Sequence, residues 1–181
     1  MESIEELLPK EMNENRSNFQ VESQKQIISI KEAKATDVPA IYKLSLCFSG
    51  ATKGWTQSEI EEIIENRQCY YVLTSERNGE IIGYALARFA WGKLHLMDIV
   101  VKEEMRLRGV GKKMMKQLID FAKSKELSEV YLEVRASNIP AVKLYQSLSF
   151  KNRFIFRGLY DGEDGIAMYL PLEEEKERTL V

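Results

Sequence analysis

The sequence predicts one α/β domain with a mixed central sheet and flanking helices. An apolar strand pattern over residues 94–101 is followed by an amphipathic helix pattern that opens at Gly109, and then by an alternating strand pattern over residues 130–134. This strand–helix–strand succession predicts a parallel strand pair with a right-handed crossover. The dipeptide Asn78-Gly79 between two apolar runs is a strong hairpin signal, so the same sheet also has an antiparallel part.

Size, charge and composition limit the kind of domain and its partners. The chain has 181 residues, of which 44% are hydrophobic, and this suits the core of a single domain. The formal net charge is -2, so we expect no nucleic-acid surface, which is usually basic. No apolar run approaches the roughly 20 residues of a membrane span, and the first residues lack the layout of a signal peptide. We therefore expect a cytoplasmic protein that binds a small molecule or a peptide and no membrane.

Metal chemistry has few candidate ligands in this chain. His95 is the only histidine, and Cys47 and Cys69 lack the C-x-x-C spacing of zinc sites. We expect two reduced cysteines and no bound metal.

Polar segments flank the predicted domain, which we place at residues 25–172. Residues 1–24 are rich in asparagine and charged side chains, and we expect them to form a flexible extension. Residues 173–181 begin with a run of glutamates, which is typical of a solvated tail. Neither end is expected to carry chemistry.

The first part of the domain is predicted to be a strand followed by two helices. Residues 27–31 suit a strand, and Thr36-Asp37 followed by Pro39 predicts the capped start of an amphipathic helix. A second helix fits residues 58–66, where isoleucines recur at helical spacing.

A meander of strands comes next. Aromatic and aliphatic residues over 70–73 and 81–89 predict two strands on either side of the hairpin turn. Trp91-Gly92 predicts another turn, which leads into the strand over residues 94–101. These three strands should therefore form an antiparallel meander, in which each strand is antiparallel to the next.

The last part of the domain follows the helix that opens at Gly109. After the strand over residues 130–134, Pro140 opens a further helix, and residues 150–170 suit two strands joined at Asp161-Gly162. The apolar stripe of the first helix should pack on the sheet, and it consists of Val110, Met114, Met115, Leu118, Ile119 and Ala122.

The turn over residues 106–112, RLRGVGK, has the features of an anion site. A strand that runs into a glycine-containing turn and then a helix exposes several backbone N–H groups at the positive end of the helix dipole. Gly109 and Gly111 let the backbone approach a ligand closely, and Arg106, Arg108 and Lys112 add positive charge. The spacing matches neither the P-loop nor the dinucleotide-binding glycine pattern. An ordinary basic turn before a helix is the alternative interpretation.

These residues resemble the acetyl-CoA-binding motif of the GNAT superfamily of N-acetyltransferases, Q/R-x-x-G-x-G/A after a central strand. Arg106, Gly109 and Gly111 occupy its fixed positions. The resemblance implies acetyl-CoA as co-substrate and a GNAT-like mixed sheet whose parallel strands splay apart around it. Strand residues would contact the pantetheine arm, and turn residues would hold the pyrophosphate. The implied cofactor-binding residues are Ile99, Val100, Val101, Leu107, Arg108, Gly109, Val110, Gly111, Lys112 and Asn138.

The resemblance covers roughly residues 27–171 and narrows to the RimI-type ribosomal-protein alanine N-acetyltransferases and their N-terminal acetyltransferase relatives. It is carried by the segment LEVRASN at residues 132–138 and by the residues that follow it. In that family the residue matching Glu133 is the general base, the one matching Tyr145 protonates the leaving CoA thiolate, and the one matching Tyr160 contacts the substrate. The implied acceptor is the N-terminal α-amine of a protein or peptide, with a ribosomal-protein alanine favoured.

Each of these residues also has an ordinary structural interpretation. Glu133 alone suits a solvated strand position, Tyr145 a packed core position, and Asn138 the cap of the following helix.

Two other functions are possible alternatives for the chain. One is a GNAT enzyme that acts on a small amine such as a polyamine or an amino sugar, and the other is a CoA-binding regulatory module without turnover.

Four further positions concern the acceptor side. Ser149 stands where the family usually has glycine, so we expect a disturbed turn after the preceding helix. Leu159 stands where relatives often have a tyrosine, so only Tyr160 is carried over as a substrate contact. We expect His95 to have a structural role or to lie at the rim of the substrate site, and Arg135 to steer an acidic group or to pair with a carboxylate.

Overall fold

The computed structural model describes residues 27–48 and 54–172, and the predictions for residues 1–24 and 173–181 lie outside them. The strands are β1 (Ser29–Glu32), β2 (Tyr70–Arg77), β3 (Glu80–Ala90), β4 (Lys93–Val101), β5 (Glu129–Arg135), β6 (Lys151–Tyr160) and β7 (Glu163–Pro171). Within the described ranges the α-helices are α1 (Val38–Phe48), α2 (Gln57–Glu65), α3 (Val110–Ser124) and α4 (Ile139–Gln146).

The seven strands form one mixed sheet in the order β1-β2-β3-β4-β5-β7-β6. Every neighbouring pair is antiparallel except β4 and β5, which are parallel and joined through α3. The predicted mixed sheet with one parallel pair and flanking helices is therefore confirmed.

Two helix pairs cover the two faces of the sheet. Successive strand residues point to opposite faces, so Leu73 packs in the cluster around α3 and α4, whereas Val72 packs in the cluster around α1 and α2. We call these the α3 face and the α1 face. No helix in the described residues is long and apolar enough to cross a bilayer. The predicted stripe of α3 is buried on its face and consists of Val110, Met114, Met115, Leu118, Ile119 and Ala122.

Local backbone geometry accounts for the turns. Asn78-Gly79 and Asp161-Gly162 both have positive φ, with values of 53° and 79° in the first pair and 50° and 91° in the second. The first helix differs from its prediction, because residues 35–37 form a short 3-10 turn and α1 begins at Val38.

The expected disturbance of the turn after α4 is absent. Ser149 adopts φ 69° and its N–H donates to the Gln146 carbonyl at 3.0 Å, so serine takes the conformation that glycine prefers.

A β-bulge interrupts β4 in the middle of the sheet. Leu86 of β3 pairs with Asp98, but its neighbour Ala87 pairs with Leu96, which leaves Met97 as the extra residue. A bulge shifts the side-chain alternation by one position, so Leu96 faces α3 and Asp98 faces α1. Regular alternation would have placed both on the same face.

An ion-pair cluster on the α1 face ties the far half of the sheet together. Arg153 on β6 donates to both oxygens of Glu129 on β5, at 3.0 and 2.7 Å, and Lys93 on β4 lies 3.0 Å from the same carboxylate. Arg153 also stacks over the ring of Tyr169 on β7, 4.1 Å from its centroid. The hydrogen bonds from Arg153, ahead of that from Lys93, hold the pKa of Glu129 below its ordinary value.

The Glu129→Gln variant should lose stability in a pH-dependent way. A carboxylate whose pKa is lowered by folding stabilises the folded state above its unfolded pKa, and this contribution is lost as the pH falls through the folded pKa. We expect a melting temperature roughly 2–4 °C below that of the wild type at pH 7, corresponding to about 1 kcal/mol. The gap should narrow below about pH 4.5. Thermal melts of both proteins from pH 7 to pH 3 measure it, and a constant gap would contradict the assignment.

Candidate active site

A cleft opens where the two parallel strands separate. The paired register of β4 and β5 runs from Lys93 opposite Glu129 to Leu96 opposite Leu132, whereas β4 continues to Val101 and β5 to Arg135. The bulge at residue 97 lies directly at the point of separation. Beyond the bulge, β4 still pairs with β3 and β5 still pairs with β7. The edges of β4 and β5 that face each other are no longer paired there and border the cleft.

The cleft has a volume of about 880 Å³. Its lining includes all but one of the residues predicted to be catalytic, to bind the cofactor or to contact the substrate, although their roles remain predictions. The exception is Arg108, which lies in the same turn and is exposed. The lining residues from that set are Ile99, Val100, Val101, Leu107, Gly109, Val110, Gly111, Lys112, Glu133, Asn138, Tyr145 and Tyr160.

The turn before α3 forms one end of the cleft. Leu107 and Gly109 both have positive φ, 58° and 80°, and Gly109 is the residue before the first helical position. The side chain of Arg106 folds back and donates from Nε to the carbonyl of Val101 at 3.2 Å. Residues 109–112 line the cleft, and the first N–H groups of a helix have no carbonyl partner within it, so this end of the cleft is suitable for an anion. A Cβ at Gly111 would lie 3.3 Å from Leu144, so this glycine allows α3 and α4 to approach closely.

Glu133 lies on the α1 face of β5 and is hydrogen bonded to a histidine of β4. Its Oε2 is 2.7 Å from Nε2 of His95, and the two side chains are 27% and 29% exposed. The His95 ring stacks on Tyr131 with the centroids 4.5 Å apart and the planes nearly parallel, so its orientation is fixed. Glu133 therefore lines the cleft with its carboxylate held by His95, which is not itself a lining residue.

Tyr145 reaches the same cleft from the opposite face. It lies on α4, is 4% exposed and packs in the α3-face cluster, with its ring 5.8 Å from that of Phe150. Burial, followed by the negative charge of Asp98, raises the pKa of Tyr145 well above its ordinary value. The phenol is therefore fully protonated at neutral and moderately alkaline pH.

Asp98 is a cleft residue that the sequence did not single out. It accepts hydrogen bonds from Nε1 of Trp55 at 3.0 Å and from the Tyr84 hydroxyl at 2.6 Å. Burial, followed by the charge of Asp98, raises the pKa of Tyr84 far above its ordinary value. These contacts anchor the segment before α2 to the bulged strand. The bulge places Asp98 on the α1 face, and the sequence pattern does not reveal that bulge.

Asn138 and Tyr160 also line the cleft. The Asn138 side chain accepts from the N–H of Ala141 at 3.2 Å and so caps α4, and the residue also lines the cleft. Tyr160 ends β6 beside Arg135, whose NH1 lies 3.2 Å from a carboxylate oxygen of Glu163. The expected pairing of Arg135 with a carboxylate is therefore present.

Comparisons with known proteins agree on one family. The profile of the acetyltransferase (GNAT) family matches residues 38–150. An N-alpha-acetyltransferase of Sulfurisphaera tokodaii is 33% identical over 157 residues, which cover 79% of this chain and 92% of that protein. The ribosomal protein bS18-alanine N-acetyltransferase of Escherichia coli is 30% identical over 148 residues, 80% of this chain and 97% of that protein. A crystal structure of the ribosomal-protein-S18-alanine N-acetyltransferase from Escherichia coli matches with a TM-score of 0.73 at 28% identity, and covers 86% of this chain and 100% of that one.

The matched region includes the bulged strand and the turn before α3. It also includes Glu133 on one side of the cleft and Tyr145 on the other. The profile spans more than half of the 181 residues, and the resemblance noted in the sequence is confirmed. The protein is an acetyl-CoA-dependent N-acetyltransferase. The chain belongs to the acetyltransferase (GNAT) family.

Proposed function

We propose that the protein transfers an acetyl group from acetyl-CoA to the N-terminal α-amine of a protein, with a ribosomal protein that begins with alanine as the favoured acceptor. The observation that carries this proposal is the placement of two groups at the strand gap. Glu133 approaches the gap from the α1 face, and Tyr145 approaches it from the α3 face. A base and an acid on opposite sides of one gap suit a direct transfer between two substrates that enter from opposite faces.

The residues at the α3 face of the cleft fit the co-substrate. Its diphosphate matches the N–H groups of the turn over residues 107–112, with Lys112 as a nearby cation. Its pantetheine arm matches the unpaired inner edge of β4 at residues 99–101, where backbone groups can form strand-like hydrogen bonds. When bound, acetyl-CoA supplies the activated acetyl thioester.

Glu133 is the general base that accepts a proton from the incoming amine. An N-terminal amine has a reference pKa near 7.7–8.0, so most of it is protonated at pH 7. A carboxylate attracts this ammonium and can take its extra proton, which frees the nitrogen lone pair for attack on the thioester. It can also accept a proton from the attacking amine as the C–N bond forms. The hydrogen bond from His95 at 2.7 Å holds Glu133 in one orientation toward the gap. Backbone N–H groups near Ile99 face the developing charge on the carbonyl oxygen.

Tyr145 acts on the leaving group. A thiol has a reference pKa near 8.5, and the buried phenol has a pKa raised above 10. Complete transfer of the proton from this phenol to the leaving thiolate would therefore be uphill. The raised pKa favours a phenol that keeps its proton and donates a hydrogen bond to the sulfur as negative charge develops there, which stabilises the leaving thiolate.

Acetylation of a peptide panel tests the proposal. Purified protein and acetyl-CoA are incubated with a peptide that begins with alanine, with the same peptide carrying a blocked N-terminus and an internal lysine, and with a set of polyamines and amino sugars. We expect acetylation of the free peptide at its first residue, located by fragmentation in a mass spectrometer, and little product from the other acceptors.

Two results would contradict the proposal in different ways. Turnover of small amines without any peptide product would indicate a small-molecule acetyltransferase. Acetyl-CoA binding without transfer to any acceptor would indicate a regulatory CoA-binding module.

A further inference from the structure

The end of the β6–β7 hairpin departs from regular pairing on the acceptor side of the cleft. Phe156 pairs with Gly165, but the next paired residue of β6 is Tyr160, opposite Glu163. The three residues between them form a bulge, and Gly158 has a φ of 64°. The hairpin end therefore has a particular folded shape, which regular strand pairing does not impose.

The bulged residues fold back over the strand beside them. A Cβ built on Gly165 would lie 2.6 Å from Cδ2 of Leu159 and 3.0 Å from Cε2 of Tyr160. The first distance is shorter than real Cβ contacts and the second is tighter than most of them, so Leu159 and Tyr160 occupy the space that a larger residue would fill. The absence of a side chain at this one position allows Leu159 and Tyr160 to approach β7 closely.

Arg135 holds Tyr160 from the other side. It pairs in register with Gly165, and its guanidinium carbon lies 4.7 Å from the centroid of the Tyr160 ring. Its NH1 also donates to the Tyr160 carbonyl at 3.3 Å and to Glu163 at 3.2 Å. One side chain therefore contacts both the ring and the backbone of Tyr160.

Carboxylates on the hairpin complete this arrangement. Glu163 also accepts from the backbone N–H of Ser137 at 2.9 Å, which links the hairpin to the loop after β5. Asp161 lies 3.9 Å from NH2 of Arg135. Because these carboxylates offset the charge of Arg135, an ammonium group that approaches Glu133 meets little repulsion from it.

We propose that Arg135 is a positioning residue, which fixes Tyr160 and the hairpin end over the acceptor side of the cleft before the acceptor binds. This inference rests on the proposed function, because it assigns Tyr160 to acceptor contact. Arg135 and Tyr160 line the same cleft as Glu133. A preformed wall lowers the entropy that acceptor binding must overcome, so the benefit should appear in the Michaelis constant of the acceptor.

The test compares Arg135→Met and Arg135→Lys with the wild type. Arg157→Met is the matched control, since Arg157 belongs to the same hairpin, is 82% exposed and pairs with Asp164. Peptide KM, kcat and the acetyl-CoA dissociation constant are measured for each protein. Hydrogen exchange over residues 157–164 reports the order of the hairpin without any need for turnover.

We expect Arg135→Met to raise peptide KM about tenfold and to speed exchange in the hairpin, with kcat and acetyl-CoA binding within about twofold of the wild type. The peptide KM and the hairpin exchange of Arg135→Lys should lie between those of Arg135→Met and the wild type, because an ammonium keeps the charge but cannot stack as a planar guanidinium does. Arg157→Met should match the wild type.

The two proposals fail in separable ways. Unchanged exchange and unchanged peptide KM in Arg135→Met would overturn the positioning role while leaving peptide acetylation intact. An equal loss of kcat, acetyl-CoA binding and exchange protection across the domain would show that Arg135 only supports the fold. If the wild type acetylates no peptide, the proposed function fails, and unchanged hairpin exchange in Arg135→Met would separately overturn the positioning role.

Discussion

Replacement of Glu133 by glutamine should lower kcat for acetylation of a peptide N-terminus by about 10²–10³-fold. Glutamine has nearly the same shape and can still hydrogen bond to His95, which lies 2.7 Å from the native carboxylate. The variant therefore removes the charge and the proton-accepting ability with little change in packing. Acetyl-CoA should bind as in the wild type, because Glu133 faces the gap from the side opposite the α3-face turn that is proposed to hold its diphosphate.

The size of this effect depends on what Glu133 does besides deprotonating the free amine. At pH 7 about a tenth of an N-terminal amine is already neutral, so supplying the neutral amine is worth only about tenfold. The rest must come from orienting the amine and accepting its proton as the C–N bond forms. The deficit of Glu133→Gln should therefore shrink by at most about tenfold between pH 7 and pH 9, and a large part should remain.

Single-turnover acetylation rates from pH 6 to pH 9 measure this deficit. Glu129→Gln is the matched control, since it removes another carboxylate from the same face of β5, outside the cleft. Its kcat at pH 7 should be close to that of the wild type. Equal rates for Glu133→Gln and Glu129→Gln at every pH would exclude Glu133 as the base.

Most of the fold could be predicted because its signals are local. The turn at Asn78-Gly79, the buried stripe of α3 and the alternation of β5 each depend on neighbouring residues, and the structure has them where the sequence placed them. The bulge at Met97 could not be predicted in the same way. It is visible only in the register between β3 and β4, and the pattern from residue 94 to residue 101 is apolar on both sides of it.

In the candidate site too, the local features could be predicted from the sequence and the contacts between distant strands could not. The glycines of the turn before α3 are a sequence motif, so their place at the cleft followed from the strand before them and the helix after them. The contact between His95 and Glu133 depends on the parallel register of two strands that are distant in the chain. The alternation of side chains along each strand places His95 and Glu133 on the α1 face. Only the register between the two strands brings them to 2.7 Å from each other.

Replacement of Tyr145 by phenylalanine should lower kcat by about 10²-fold, because it removes the hydroxyl that donates to the leaving sulfur. The ring is retained, so the packing of α4 against the sheet should survive and acetyl-CoA should still bind. Tyr71→Phe is the matched control: Tyr71 stacks on Phe121 at 3.9 Å and packs against the same α3-face cluster, but it does not line the cleft. Stopped-flow release of free thiol measures both variants.

The pH dependence separates Tyr145 from Glu133. Because burial raises the pKa of Tyr145 above its ordinary value of about 10, the phenol does not titrate between pH 6 and pH 9. The deficit of Tyr145→Phe should therefore be constant over this range, whereas that of Glu133→Gln should shrink as the amine loses its own proton. A Tyr145→Phe deficit that vanishes at high pH would mean that the hydroxyl acts on the amine and not on the thiolate, and the assigned roles of the two faces would have to be exchanged.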